Sequence, residues 1–220
     1  MAVITISREF SSGGGKRAET VAKELGYHFL DKQSIERILD EYGFVDFSKE
    51  YQSPAAGVWA SFHSRIAEMS DMLNLVTRAI ARHGNSVILG RGSFAVLSGF
   101  ADVLNVRIKA PFEFRVNRMM VENAGTDHSQ AEAMVHEGDR VRSTFVRSMY
   151  GVHWDALSSF DIVADIGKIA PDAVAAFITS AARGLEKHIP KGPRTSDIAA
   201  NEILDGVVAK VVGCTTLHAR

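Results

Sequence analysis

The first thirty residues constrain the fold more than any other part of the chain. Val3-Ile4-Thr5-Ile6 is a short β-branched run, the pattern of a buried strand. The cluster Ser11-Ser12-Gly13-Gly14-Gly15 ends the extended segment soon after. Ala18, Val21, Ala22 and Leu25 then recur at i, i+3, i+4 and i+7, with Gly26 where a helix C-terminal cap belongs. Tyr27-His28-Phe29-Leu30 reads as a second strand, closed by Asp31. Strand, glycine turn, helix and strand in that order form a βαβ unit, which requires a parallel sheet and a right-handed crossover.

The alternation continues. Ile35, Ile38 and Leu39 predict a short helix before an irregular stretch around Tyr51 to Gly57. Ile66, Met69, Leu73, Val76 and Ile80 form an apolar stripe stopped by Gly84, and Ser86 to Leu89 is a third strand ending in Gly90-Arg91-Gly92. Val103 to Ile108 is a fourth strand, halted by Pro111. A helix follows from Phe112, and the polar segment from about Asn123 to Ser143 is read as largely helical. Asp161 to Asp165 gives a fifth strand, and Val174 to Leu185 a last amphipathic helix. Strands and helices in this alternation predict an α/β fold: a three-layer, doubly wound sheet of five parallel strands with helices on both faces. The domain is expected over residues 1–185. From Pro190-Lys191-Gly192-Pro193 the composition becomes that of a linker, so residues 186–220 are read as linker and tail of unassigned role, with Val207 to Val212 a possible strand.

Composition narrows the function. A 46% hydrophobic and 23% charged chain of 220 residues can bury a core. A net charge of −1 leaves no global field to capture nucleic acid or an anionic membrane. The single cysteine, Cys214, excludes an intramolecular disulfide and a cysteine-only zinc site. No secretory leader pattern opens the sequence, and no apolar run approaches the about 18 residues of a membrane helix. A cytoplasmic monomer or homodimer is expected.

In an open α/β sheet, ligands bind outside the carboxyl ends of the strands. Ser11, Ser12, Gly13, Gly14 and Gly15 offer backbone N–H groups to an anion just before a helix N-terminus, with Arg8 at the strand exit and Lys16 and Arg17 adding charge. The alternative is a flexible glycine turn. The strict phosphate-loop pattern G-x-x-x-x-G-K-[ST] is not matched: counting back from Lys16, Phe10 stands at the first glycine, and Arg17 replaces the hydroxyl residue.

The run Ser7-Arg8-Glu9-Phe10-Ser11-Ser12-Gly13-Gly14, then Ala18 to Gly26 and Phe29-Leu30-Asp31-Lys32, resembles the opening of the cytidylate kinase-like family, a divergent branch of the P-loop nucleoside monophosphate kinases. Ile88 to Gly92 resembles the glycine–arginine strand end of cytidylate kinases. Asn105 to Pro111 with Arg115 to Arg118, Asp139-Arg140 to Arg147, Tyr150 to Trp154 and Phe160 to Val163 are similar to the passages from the fourth strand through the lid to the last strand. Two positions depart from the orthodox pattern. Aligned without a gap, Gly14 stands where the phosphate-binding lysine would be, and Lys16 lies two residues late. Leu89 stands where cytidylate kinases carry an aspartate.

The resemblance implies ATP-dependent phosphoryl transfer, with Mg²⁺, to a nucleoside monophosphate such as CMP or dCMP. The alternatives are a regulatory nucleotide-binding protein with little or no turnover, and a kinase of another small metabolite on the same scaffold. It implies catalytic cations at Arg140, Arg142, Arg147 and Lys16, with the arginines on a closing lid over about 123–155. A solvated charged helix is the other reading of that segment; Arg140 and Arg147 share one face if it is helical. Arg91 is expected to hold the acceptor phosphate, or else to be a turn arginine. Asp31 would contact the acceptor, or cap a helix starting near Ser34. Arg115 and Arg118 would flank the donor base, or simply lie on a helix surface. The eight histidines show no metal-ligand spacing.

Overall fold

The computed structural model describes residues 2–43 and 66–213; the expectation for Tyr51 to Gly57, and Cys214, lie outside them. Five strands form one sheet: β1 (Val3–Arg8), β2 (His28–Leu30), β3 (Ser86–Leu89), β4 (Val103–Lys109) and β5 (Ile162–Asp165). All pairings are parallel, in the spatial order β2-β3-β1-β4-β5. The register runs Val3↔Ser86 on one side of β1 and Val3↔Val103 on the other, so β1 is paired along both edges. Eight α-helices are described: α1 (Gly14–Leu25), α2 (Lys32–Tyr42), α3 (Ile66–His83), α4 (Ser93–Val96), α5 (Phe112–Glu122), α6 (His128–Tyr150), α7 (Pro171–Lys187) and α8 (Glu202–Val212).

Side-chain alternation along the strands sorts the core into two faces. Val3, Leu30, Ile88 and Val103 join a cluster with α2, α3, the end of α6 and α8. Ile4, Ile6, Val87, Leu104 and Val106 join another with α1 and α7. The expected three-layer, doubly wound architecture is thus the one observed. A third, smaller cluster of Val116, Met119, Ala131 and Val135 holds α5 against α6.

One expectation is corrected. Val207 to Val212 is not a strand but the second half of α8, whose start is capped by Asn201 accepting the Leu204 N–H at 3.1 Å. Leu204 and Val208, four apart, are both fully buried, so helical spacing decides the element rather than β-branching. The segment before it is tied to the sheet. Asp102 accepts from the Thr195 N–H and hydroxyl at 2.9 and 2.7 Å, and Pro193 O accepts the Ala101 N–H. Arg82 meets Asp205 at 2.7 Å. Residues 190–212 therefore pack on the main domain. Among the described residues no helix is long and apolar enough to cross a membrane.

Candidate active site

The C-terminal ends of β1 and β3 open into a cavity of about 210 Å³. Its cationic lining is Arg8 from the end of β1, Lys32 from the first turn of α2, Arg91 after β3 and Arg142 from α6. Its apolar wall is made by Leu89, Phe94, Phe145, Val146 and Trp154. No carboxylate of the described residues lines it. Lys32 meets Glu36 at 3.3 Å, a carboxylate outside the lining, and positive charge gathered on an apolar wall favours an anion there.

The glycine loop joins β1 to α1. Ser12 Oγ donates to Glu9 O at 2.8 Å, Ser11 takes φ 56° and Gly13 φ 78°. Gly13 is the N-cap of α1 and offers no side chain to the helix's first N–H groups, which is the arrangement that accepts a phosphate oxygen. Ser11 Oγ is buried without a hydrogen-bond partner. The Arg118 guanidinium lies across Gly13, where a Cβ would fall 1.9 Å from its Nη1, and pairs with Glu122 at 2.7 Å.

Arg91 stands at φ 57° between Gly90 at 77° and Gly92 at 71°, three successive left-handed residues. Tyr150 donates to Arg91 O at 3.0 Å and covers Gly92, whose missing Cβ would be 2.0 Å from the ring. The Arg91 guanidinium sits 5.2 Å from the Phe145 ring centroid.

Residue by residue, the structure separates the expected arginines of α6. Arg142 lines the cavity, stacks 4.8 Å from the Phe10 ring and donates to Gly138 O at 2.7 Å, while its buried Nε has no partner. Burial pushes its pKa below the usual arginine value; Asp139 opposes this and nearby Arg91 reinforces it. Arg140 and Arg147 do share one face, but it is the solvent face: both are exposed, and Arg140 is held by Glu137 at 2.7 Å. The reason is the apolar series Ala131, Val135, Phe145, Val146 and Met149, which turns the opposite side inward and takes Arg142 with it.

Three further residues are placed as follows. Lys16 is exposed, the third residue of α1, and does not line the cavity. Asp31 is the N-cap of α2, accepting the Ser34 N–H at 3.0 Å in a reciprocal capping box, and it does not line the cavity either. Its neighbour Lys32 does. Arg115 is buried rather than placed beside a base. It donates to Asp139 Oδ2 at 2.5 Å, to Phe10 O and to Ala110 O, with Glu9 3.6 Å away. Asp139 in turn accepts the Phe10 N–H at 2.8 Å, which ties the loop to α6.

Sequence reasoning missed Lys32, Phe94, Phe145 and Phe10 as site elements. The signal for Lys32 was its place after a capping aspartate; the aromatic residues read as core because Phe94 and Phe145 are core members too, and Phe10 packs on the small third cluster. The carboxylates nearest the loop are engaged elsewhere: Glu9 accepts from the Ala110 N–H and lies 3.7 Å from Arg107, and Asp139 holds Arg115. The described residues therefore do not fit a magnesium ion held by the protein's own carboxylates. On the outer surface of α5 and α6, His128 bridges Glu113 at 3.2 Å and Glu132 at 3.8 Å through different ring nitrogens. With one ligand atom each, the three side chains bring those atoms within 4.8 Å of one another on an exposed surface, an acidic cluster of a kind common without an ion.

A model described as the cytidylate kinase-like family matches residues 3–168. Cytidylate kinase of Ignicoccus hospitalis is 28% identical over 174 residues, 79% of this chain and 95% of that protein. Cytidylate kinase of Methanocaldococcus jannaschii is 26% identical over 178 residues, with the same coverage of each. A crystal structure of an uncharacterized protein from Eubacterium ventriosum shares the fold, with a TM-score of 0.66 at 20% identity, covering 83% of this chain and 98% of that one.

Proposed function

The chain belongs to the cytidylate kinase-like family, and from that premise we propose that it transfers the terminal phosphoryl group of ATP to a nucleoside monophosphate, with CMP or dCMP the preferred acceptor. One observation carries the reading: the cavity joins four cationic side chains to an aromatic wall, with no carboxylate of the described residues in its lining. That lining suits a phosphate attached to a flat base. The names of the two archaeal relatives support the same acceptor class.

The step needs little covalent help. An oxygen of the acceptor's phosphate attacks the γ-phosphorus, and the bond from that phosphorus to the β–γ bridging oxygen breaks. The electron pair leaves on ADP, and the acceptor becomes a nucleoside diphosphate. The donor's phosphates would rest on the N–H groups at the start of α1, beside Ser11 Oγ and under Arg118. Arg91 would hold the acceptor phosphate, and Arg142 would lie over the reacting groups. Cations so placed would spread the charge of the three equatorial oxygens. Magnesium would arrive bound to the triphosphate and neutralise part of its charge.

A coupled assay of ADP release with MgATP against a panel of ribo- and deoxynucleoside monophosphates tests this. Turnover confined to CMP, dCMP or UMP is expected. The exposed Lys16 and the glycine at position 14 favour a second reading, a nucleotide binder with little turnover. Tight ATP binding by calorimetry with no ADP release against any acceptor would establish it instead.

A further inference from the structure

We propose that Arg8 is the catalytic cation between donor and acceptor phosphates, in the place an orthodox phosphate loop gives to its lysine. The inference rests on the phosphoryl-transfer reading and deepens it.

Arg8 is the last residue of β1, the middle strand of β2-β3-β1-β4-β5. It therefore leaves the sheet between the loop that follows β1 and the loop that follows β3, at the point where chain connections diverge to either side. Two glycines make room for its side chain. A Cβ on Gly14 would lie 2.7 Å from Arg8 Cβ and 3.1 Å from its Cγ. A Cβ on Gly90 would lie 2.0 Å from Arg8 Nη1 and 3.2 Å from its Cζ. Gly14 is a helical residue with no positive φ, so the backbone does not call for glycine there. The stem of Arg8 does.

A side chain at position 14 is excluded by the Cβ that any residue but glycine at position 8 would carry, and the Cγ of Arg8 tightens the exclusion. A side chain at 14 and the stem of Arg8 would occupy the same space. The chain has moved its cation from the first turn of α1 to the end of β1, and Lys16, exposed and outside the cavity lining, has not taken the post. From the cavity wall beside Gly90 and Arg91, the planar fork of Arg8 can reach oxygens of two phosphate groups at once, which a lysine ammonium does less well.

The test uses the full chain with Arg8→Ala, Arg8→Gln, Arg8→Lys and Lys16→Ala, each checked for a native melting transition. Arg8→Gln keeps the stem against Gly14 if Arg8→Ala does not fold. With MgATP and saturating acceptor, Arg8→Ala and Arg8→Gln should lower kcat by about 10²-fold or more, with each KM changed less than about threefold. Arg8→Lys should recover part of the loss, as should millimolar guanidinium added to Arg8→Ala, an effect a merely structural role would not show. Lys16→Ala should stay within about twofold of the parent. An Arg8→Gln enzyme with more than a third of the parent kcat, or Lys16→Ala as impaired as Arg8→Ala, overturns the proposal while leaving the kinase reading intact. If the parent itself releases no ADP with any acceptor, the kinase reading fails, and ATP affinity of the same variants decides the residue. A tenfold weakening in Arg8→Gln with Lys16→Ala unchanged upholds Arg8 as the phosphate cation; equal affinities sink it.

Discussion

Gly138 lies in the middle of α6, where replacing glycine by alanine ordinarily stabilises a helix by about 1 kcal/mol. Here the opposite is expected. A Cβ at Gly138 would come within 2.3 Å of Phe10 Cγ and 2.6 and 2.7 Å of its two Cδ atoms, well inside the about 3.5–4.0 Å of a good carbon contact. The ring cannot simply back away. Its own backbone is held at both ends, the N–H by Asp139 at 2.8 Å and the carbonyl by Arg115 at 3.3 Å, and Arg142 covers its face. Overpacking of this kind costs about 1–3 kcal/mol, and straining the Phe10–Asp139 bond adds about 1 kcal/mol. Against the propensity gain, Gly138→Ala should be about 2 kcal/mol less stable, lowering Tm by about 4–8 °C for a chain of this size. Gly206 supplies the control: it is also mid-helix, in α8, with nothing within 4 Å of its Cβ position. Gly206→Ala should raise Tm by about 2–4 °C. Thermal unfolding followed by circular dichroism reads both. A Gly138→Ala protein melting at or above the parent would refute the claim that Phe10 is pinned against α6, and with it the coupling of the glycine loop to Arg142.

Four other outcomes follow from the same contacts. Arg142→Ala should lower kcat by about 10²-fold or more in the ADP-release assay, whereas Arg140→Ala and Arg147→Ala should stay within about twofold; parity among the three would contradict the assignment of the inward face. Arg107, buried with Nη1 on Trp154 O at 2.8 Å and its guanidinium 4.4 Å from the Trp154 ring, should cost about 2–4 kcal/mol when changed to alanine, measured by urea unfolding. Thr195→Val leaves the buried Asp102 short of a hydroxyl donor and should cost about 1–3 kcal/mol in the same experiment; no loss would mean the segment before α8 is only loosely attached. Tyr27 has its pKa raised above 10.0 by burial and by donating to Glu186 at 2.8 Å. The unfolded phenol ionises first, so this stabilisation is complete below pH 10.0 and declines as pH rises above it. Tyr27→Phe should flatten that alkaline decline in denaturant midpoints taken across the range.

The fold was legible because it rests on patterns that local sequence reports. Val3 to Ile6 is a continuous apolar or β-branched run, and Val103 to Ile108 is one interrupted only by Asn105 and Arg107; a parallel strand buried on both faces looks like that. Val207 to Val212 misled for the same reason: its β-branched residues fit a strand, and only the packing of Leu204 and Val208 against α2 and α3 makes it a helix. The site was legible in part. Arg91 announced itself by the glycines on either side, and Arg8 by its place at a strand exit. The arginines of α6 could be sorted only by the phase of the helix, which depends on where Ala131 and Val135 find partners on α5. Asp31 carried two chemically sound meanings, and the structure shows the capping one. Arg115 could not be placed, since its partners lie at Phe10, Ala110 and Asp139, a set no spacing rule connects.

The seating of α8 bears on how the protein emerges from the ribosome. Leu204 and Val208 join the apolar cluster that contains Val3 and Leu30 by packing on α2 and α3, so that cluster is completed only after the whole sheet has been made. Synthesis proceeds at about 5–20 residues per second, which leaves several seconds between completion of β5 and the arrival of α8. Throughout that interval the apolar sides of α2 and α3 that receive α8 stand uncovered, and it is there that a chaperone would find its purchase.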